Sequence, residues 1–498
     1  MPKIKRVLVA NRGEIALRVM RTCRECGIKT IAVYSSVDKT SPHVLFADES
    51  VFIGNAPSAE SYLDQQKIID AAKKTRADAI HPGYGFLSEN ATFATRCKEN
   101  DIIFIGPSAR SIELMGDKTK ARELVKKALV PLPPGTESDI NSISEAKKIA
   151  REIGYPVLIK AAAGGGGKGL RIVYQEDDFE KSVKSARSEA KNAFGDERVF
   201  VEKYLEEPRH IEFQVFGDIH GNVIHLFERE CSIQRRHQKV IEEAPSPFMT
   251  EDLRQKMADA AVAAAKSCGY VGAGTVEFLV DKNRNFYFLE MNTRLQVEHP
   301  VTELITGIDL VSLQIDVAEG KKLPFTQNQV RKWGHAIECR IYAEDPYDQF
   351  LPSTGKVSIH RIPSGNGVRV DSGIDEGQEI SIYYDPMISK LCVHSADRKT
   401  AIQKMLRALD EYVVSGVKTT IPFCKFTLNE NHFRDGIYDT HFIANYFNPE
   451  KISESESEKV AALMSSLLTA NKQYNQSNNQ TTPSKHKSNW WRKRNHHT

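Results

Sequence analysis

The sequence has 498 residues, 40% of them hydrophobic and 27% charged, with 68 basic against 65 acidic side chains for a formal charge of +3. That length suits roughly three domains, and the near balance of charge excludes a general nucleic-acid-binding surface. No apolar run approaches the ~20 residues of a membrane helix, so a soluble globular chain with no membrane partner is predicted.

The chain opens "MPKIKRVLVANRGE", entering a strand-like run almost at once and leaving no room for a signal peptide; a cytoplasmic location is the expectation. Strand "KRVLVAN", helix "EIALRVMRTCRECG" and strand "TIAVYSS" alternate as β-α-β, the pattern of a parallel sheet covered by helices, and "KIIDAAKKTRADAIHPGYG" and "IIFIGPSA" repeat it. The connection "ANRGEIA" has a single glycine where a dinucleotide-binding fold shows G-x-G-x-x-G, which argues against a nicotinamide cofactor. Of the eight cysteines, the one close pair, Cys23 and Cys26, has no second pair at metal spacing and reads as a reduced packing pair on a helix.

The prolines of "VPLPPG" at 130–135 mark a linker, followed by helix "ISEAKKIAREIG", strand "YPVLIKA" and the glycine run of "KAAAGGGGKGLRIVY" at 160–174. Gly164, Gly166 and Gly169 match the dinucleotide spacing, but a strand follows instead of a helix, and Lys168 precedes Gly169 instead of the Ser or Thr of a Walker loop. What remains is a glycine-rich hairpin flanked by Lys160 and Lys168, either a mobile lid over nucleotide phosphates or a plain surface turn.

From about 208 to 448 the sequence is strand-rich. In "GTVEFLVDKNRNFYFLEMNTR" a four-residue loop, "KNRN", sets Glu277 opposite Glu290. Two carboxylates about 5 Å apart on neighbouring strands repel each other unless a cation lies between them, and a hard ion such as Mg²⁺ suits that place. Asn292 shares the face of Glu290 and adds a neutral oxygen. "SIQRRHQK" supplies Arg235, Arg236, His237 and Lys239, and "NTRLQVEHP" supplies Arg294, Gln296 and Glu298, a set suited to a small anion and a base. Taken alone, "QRRHQK" reads more readily as a solvated face; joined to the carboxylate pair and the glycine hairpin it reads as part of a site. Beyond residue 450 the composition turns to Ser, Asn, Gln and Thr, with one amphipathic stretch, "SEKVAALMSSLLTANK", and a basic end that predicts disorder over about the last 25 residues.

The motifs "RVLVANRGEIALRV", "HPGYGFLSEN", "GDK", "KAAAGGGGKG", "RHIE", "RRHQK", "EMNTRLQVEHPVTE" and "GHAIECRIYAEDP" span about residues 3 to 448. Through them the chain resembles biotin carboxylase, a family of ATP-grasp ligases. The resemblance implies an α/β and α+β chain. Its parts would be an N-terminal parallel-sheet (pre-ATP-grasp) domain at 1–116, an ATP-grasp lid region with the glycine-rich hairpin at 117–207 and the ATP-grasp main domain at 208–334. A β-rich C-terminal subdomain at 335–448 and a polar, basic tail at 449–498 complete it.

By the same likeness Lys118 and Lys160 hold the ATP phosphates and Gly164, Gly165, Gly166, Gly167 and Gly169 close over them. Glu202, Lys203, Tyr204 and Leu205 lie at the adenine, and His210, Gln234 and His237 reach the ribose and phosphates. Glu277, Glu290 and Asn292 hold Mg²⁺ or Mn²⁺. Lys239, Arg294, Gln296 and Val297 form the bicarbonate pocket with Glu298 as its base, while Arg340, with Tyr84, receives biotin. The implied chemistry is attack of deprotonated bicarbonate on the γ-phosphate of ATP, decay of carboxyphosphate to carbon dioxide and phosphate, and attack of biotin's nitrogen on carbon dioxide.

No Ala-Met-Lys-Met biotin attachment signature occurs in the 498 residues. The resemblance therefore implies a separate biotin carboxyl carrier protein, separate carboxyltransferase subunits and, from the family, a homodimer. Acetyl-CoA (the fatty acid biosynthesis route), propionyl-CoA and pyruvate systems all use such a subunit. The tail, with Trp490 and Trp491 among Arg and Lys, is either a docking element or a solvated end. Three rivals stand beside this reading: an ATP-grasp ligase like carbamoyl-phosphate synthetase, a nucleotide-sensing subunit without catalysis, and a nucleic-acid-binding protein resting on the basic tail.

Overall fold

Residues 3–136, 139–140, 142–162, 169–451 and 463–470 are described in a computed structural model. The N-terminal sheet has five parallel strands in the order Glu49–Gly54, Lys29–Ser35, Arg6–Val9, Ala79–His81, Ile103–Phe104. Val7, Leu8 and Val9 are fully buried because helices cover both faces of such a sheet, which is why the strand reads as an unbroken apolar run. Helix Gln65–Thr75 starts where the Asp64 carboxylate accepts from Lys67 N and stops at Arg76, whose φ of 52° is left-handed.

Two loops at the C-terminal ends of these strands are locked together. Asn11, just after the first strand, donates from Nδ2 to Pro82 O (2.8 Å) and Tyr84 O (2.7 Å). Gly83, at φ 64°, permits that approach, since a Cβ there would stand 2.9 Å from Asn11 Nδ2. Helix Gly13–Glu25 buries Cys23, but Cys26 is exposed at the helix end, so only one of the two cysteines packs.

The second sheet is small and antiparallel, in the order Arg171–Val173, Val157–Ala161, Val199–Lys203. Its first two strands are the arms of the expected glycine-rich hairpin; Gly164, Gly165, Gly166, Gly167 and Lys168 lie outside the described residues. The proline linker is held rather than free, because Pro131 O accepts from Phe288 N and Pro134 O from Lys203 N.

The third sheet has eight antiparallel strands: Phe286–Asn292, Gly272–Val280, Arg209–Gly217, Val223–Arg235, Gln238–Ala244, His335–Tyr342, Met387–Ser395 and Val368–Ser372. It runs without a break across residues 334 and 335, since Gln238–Ala244 pairs directly with His335–Tyr342. Strand Arg209–Gly217 is buried at every position. One face packs helix Glu251–Ser267 and another region packs helix Arg398–Glu411, each over its own apolar cluster. Residues 448–498 form a separate unit, in which 463–470 is helical with Leu463, Met464, Leu467 and Leu468 exposed.

Candidate active site

A cavity of about 720 Å³ opens between the N-terminal loops and the eight-stranded sheet. Its wall takes in Tyr84, Lys118, Lys160, His210, Gln234, His237, Lys239, Glu277, Glu290, Asn292, Arg294, Gln296, Val297 and Arg340, all of them expected from sequence.

The hairpin that carries the two carboxylates pairs Glu277 with Glu290 and Thr275 with Asn292, as expected. The route to that register differs from the expectation. The turn is a three-residue loop, with Asp281 N donating to Asn285 O (2.9 Å) and Arg284 left-handed at φ 66°, so Val280 pairs with Phe286. A β-bulge then adds Leu289 opposite the 277–278 step and shifts the pairing by one. The two offsets cancel at Glu277 and Glu290.

Glu277 Oε1 accepts from Lys239 Nζ (2.9 Å), Asn292 Nδ2 (2.8 Å) and Gln296 Nε2 (3.3 Å), and its Oε2 lies 2.9 Å from His210 Nε2. Burial acts to raise this carboxyl, but Lys239 and His210 outweigh it and hold it well below the usual carboxylate range. Among the described residues the ion-pair partner of Glu290 is Lys118, 3.8 Å away, and burial together with the charge of Glu277 pushes its carboxyl up against the pull of Lys118 and His210. The donor set of the two carboxylates and the Asn292 amide oxygen in one cavity wall fits a hard ion such as Mg²⁺. A second acidic group, His210, Glu212 and Glu277, also gathers its ligand atoms, but the Lys239 ammonium already bonds both glutamates there.

Glu298 is fully buried and stands behind the wall, at the start of helix His299–Thr306, whose positive end favours an anion. Its Oε1 accepts from Lys239 Nζ (2.6 Å) and its Oε2 from Arg340 NH2 (3.0 Å). Burial works to raise it, but Lys239, Arg340 and Arg229 hold it well below the usual range, so it is an anion at any working pH. Lys239, which also donates to Glu212 (2.5 Å), is held fully charged by the three carboxylates against its own burial.

The β-turn between Val223–Arg235 and Gln238–Ala244 is only two residues long, and both Arg236 (φ 49°) and His237 (φ 66°) are left-handed without being glycine. Each such residue stores about 1–3 kcal/mol of strain, of the kind that concentrates at functional sites. This tight turn places His237 at the cavity while Arg235 pairs with Glu344 at 2.6 Å, so "QRRHQK" is not a uniformly solvated face.

Arg294 spreads its guanidinium over Glu89 Oε2 (2.8 Å), Gln296 Oε1 (3.1 Å) and Asn292 Oδ1 (3.2 Å). Val297 O accepts from the buried Lys390 Nζ (2.8 Å). Arg340 donates from Nε to Glu242 Oε1 (2.6 Å), and the Tyr84 hydroxyl donates to Glu14. Gly169, left-handed at φ 71°, is seated where a Cβ would lie 2.9 Å from that of Ala161.

The adenine set is placed differently from the rest. Glu202 lines a smaller cavity of about 20 Å³ that shares Lys118, Lys160, Leu289 and Glu290 with the main one; its carboxylate pairs with Lys160 and with Arg122 NH1 (3.1 Å). Lys203 Nζ donates to Gly154 O (2.9 Å) and Tyr155 O (3.2 Å), the Tyr204 hydroxyl lies 3.3 Å from His441 Nε2, and Leu205 is half-buried in the loop that follows. None of these three lines either cavity.

Sequence reading missed Glu89, Glu212, Glu242 and Lys390, and the Arg12–Asp38 pair whose guanidinium stacks on Tyr384 at 4.2 Å in the cavity wall. Glu89 was within reach, as it lies inside the motif "HPGYGFLSEN". The others sit mostly in strands whose alternation signals only which face they share.

Three family descriptions match the chain: biotin carboxylase N-terminal domain at residues 3–112, carbamoyl-phosphate synthase L chain ATP-binding domain at 117–326 and biotin carboxylase C-terminal domain at 338–445. A pyruvate carboxylase subunit of Methanothermobacter thermautotrophicus is 54% identical over 94% of this chain and 96% of its own. The chain spans 63–65% of the length of longer mitochondrial acyl-CoA carboxylase alpha chains that it also matches. Among solved structures, a biotin carboxylase–ATP analogue complex from Campylobacter jejuni is 52% identical with a TM-score of 0.87, covering 89% of this chain and 99% of that one. The biotin carboxylase domain dimer of 2-oxoglutarate carboxylase from Hydrogenobacter thermophilus, solved with MgADP, ADP and bicarbonate, is 49% identical with a TM-score of 0.87, covering 91% and 100%. Two biotin carboxylase segments flanking an ATP-binding one, with identity above half over nearly the whole chain, decide against a carbamoyl-phosphate synthetase. The chain belongs to the biotin carboxylase family, ATP-grasp ligases that carry out the ATP- and bicarbonate-dependent first half-reaction of biotin-dependent carboxylases.

Proposed function

We propose that this chain carboxylates biotin presented on a carrier protein, with the roles divided as follows. The observation that carries the division is one cavity whose wall holds Lys239, Arg294, Arg340 and the Glu277–Glu290 pair, with the anionic Glu298 buried directly behind Lys239 and Arg340. Lys118 and Lys160 face the ATP phosphates; Lys160 reaches them by leaving Glu202. Glu277, Glu290 and Asn292 hold Mg²⁺, which when bound neutralises phosphate charge.

Bicarbonate sits against Lys239, Arg294, Gln296 and the backbone at Val297. When bicarbonate takes over Lys239, one oxygen of Glu298 is freed, and Glu298 accepts the bicarbonate proton. One oxygen of the carbonate dianion bonds to the γ-phosphorus as the bond from that phosphorus to the bridging oxygen breaks and ADP leaves; Lys239 and Arg294 spread the charge. Carboxyphosphate releases carbon dioxide and phosphate. Phosphate removes the ureido proton of biotin, Arg340 stabilises the oxyanion, and the biotin nitrogen bonds to carbon dioxide.

The carrier, carboxyltransferase subunits and a homodimeric state belong to this reading, the last supported by the relative solved as a dimer. A cytoplasmic location is part of it as well; among the described residues no helix is long and apolar enough to cross a membrane. ADP release measured with ATP, Mg²⁺ and bicarbonate, with and without free biotin, tests the reading: biotin-stimulated, bicarbonate-dependent release supports it, and its absence overturns it.

A further inference from the structure

Arg340 is gripped from two sides, and only one grip is part of the reaction. On one side NH2 meets Glu298 Oε2 at 3.0 Å. On the other, Nε (2.6 Å) and NH2 (2.5 Å) both converge on the same oxygen of Glu242, Oε1. A carboxylate facing a guanidinium ordinarily offers both oxygens in a fork. Here Oε2 of Glu242 is left buried with no hydrogen-bond partner among the described residues.

Directly across the ladder from Glu242 stands Glu338. Side chains so paired share a face with Cβ atoms about 4.5–5.5 Å apart. Glu338 is also fully buried; its Oε2 accepts from Cys392 Sγ (3.2 Å), and its Oε1 is the second carboxylate oxygen here without a partner among the described residues. Two orphaned oxygens on facing carboxyls are each other's complement if one carries a proton, because a neutral carboxyl is a donor and a carboxylate is not.

The charges demand the same. Three buried carboxylates, Glu242, Glu298 and Glu338, crowd Arg340, while the nearby cations are shared with further acids. Lys239 is shared among Glu212, Glu277 and Glu298. Lys390, opposite Arg340 on the next strand, bonds Val297 O (2.8 Å), pairs with Glu14 (3.3 Å) and Asp371 (3.9 Å), and divides its charge between these acids and Glu338, whose carboxyl it pulls down less than burial pushes it up. A buried carboxylate oxygen without a hydrogen bond is costly, and one proton between the two orphaned oxygens removes that cost.

We propose that Glu242 is the positioning residue for Arg340, and that Glu242 and Glu338 act as a carboxyl–carboxylate pair holding one shared proton. Consistent with this, burial raises the Glu338 carboxyl well above its ordinary value, and raises Glu242 to about 7 against the pull of Arg340. The pair anchors the guanidinium through Nε and NH2, and the same NH2 also reaches Glu298. It rests on the proposed role of Arg340 toward biotin.

The test uses the full chain and two substitutions of one residue that differ in whether a donor remains. Glu338→Gln keeps a neutral N–H donor for Glu242 Oε2; Glu338→Leu removes it. The readout is kcat/KM for free biotin divided by the biotin-independent rate of ADP release. The ratio is expected to stay within about twofold in Glu338→Gln and to fall about tenfold in Glu338→Leu and Glu242→Gln. The infrared difference spectrum of wild type minus Glu338→Gln is expected to show the carbonyl band of a neutral carboxylic acid at pH 8. Equal ratios in the Gln and Leu variants, or no neutral-carboxyl band, overturn the shared proton; an unchanged ratio in Glu242→Gln overturns the positioning role. Wild type without any biotin-stimulated turnover would instead overturn the biotin reading itself.

Discussion

Lys239 Nζ lies 2.6 Å from Glu298 Oε1, and the same ammonium bonds Glu212 and Glu277, so one cation ties the candidate base to the candidate metal carboxylate. Replacing it takes one shared cation from three buried carboxylates and leaves them to Arg229, His210 and Arg340. Lys239→Met is expected to destabilise the fold by about 3–5 kcal/mol, as breaking one side of a buried ion network does. Bicarbonate-dependent ADP release should fall by about 10²–10³ from lost charge stabilisation. Urea denaturation and steady-state ADP assays check both; a fold weakened with catalysis intact would remove Lys239 from the chemistry.

Glu298 is held below the ordinary carboxylate range, which fixes what the pH profile can show. A group whose folded pKa is depressed stays deprotonated as pH falls until that low value is reached. Any acid limb of kcat/KM between pH 5 and 8 must therefore come from another group. Glu298→Gln should lower kcat by about 10²–10⁴ while leaving ATP affinity, measured calorimetrically, near wild type. It should also keep the shape of the profile; a limb that vanishes with the substitution would contradict the assignment.

Among the described residues Glu290 has Lys118 at 3.8 Å, whereas Glu277 has Lys239 and His210 at 2.9 Å. Removing the charge of Glu290 thus mainly weakens the metal, and removing that of Glu277 also disturbs the lysine. Glu290→Gln is expected to raise the Mg²⁺ concentration for half-maximal ADP release by about 10–100-fold, with recovery at high Mg²⁺. Glu277→Gln should not recover. Chelation by EDTA should abolish turnover in wild type. Equal Mg²⁺ dependence in wild type and Glu290→Gln would remove Glu290 from the metal set.

Much of this site was legible because its residues lie in loops and hairpins whose types carry chemistry: the carboxylates of one hairpin, the turn at His237 and the run from Arg294 to Glu298. The Glu277–Glu290 pairing was legible only by cancellation, since periodicity reveals neither a three-residue turn nor the bulge at Leu289 that offsets it. The strands Gln238–Ala244 and His335–Tyr342, which pair across nearly a hundred residues, could not be joined from local pattern, and so the continuity of the large sheet was not foreseen. Glu242, Glu338 and Lys390 were invisible for the same reason. A charged residue in a strand reads as solvent-facing unless its cross-strand partners are known.

Glu243, next along the strand from Glu242, faces the other way and serves structure. Its Oε2 lies 2.6 Å from His335 Nε2 and 2.7 Å from Arg398 Nε, and its Oε1 accepts from Arg398 NH2 (3.0 Å) and the Tyr438 hydroxyl (2.5 Å). Burial acts to raise its carboxyl, but Arg398 and His335 bring it down to about 2 from an ordinary 4.5. A depressed carboxylate stabilises the fold above its unfolded pKa and loses that contribution as pH falls through the folded one, so the window runs from about 4.5 down to about 2. Glu243→Gln should therefore cost about 3 kcal/mol at pH 7, with the gap to wild type narrowing as pH is lowered through that window. Urea denaturation of both proteins at pH 7, 5, 4 and 3 measures it. A gap that does not change with pH would mean that packing around Glu243, and not its charge, joins helix Arg398–Glu411 to the sheet.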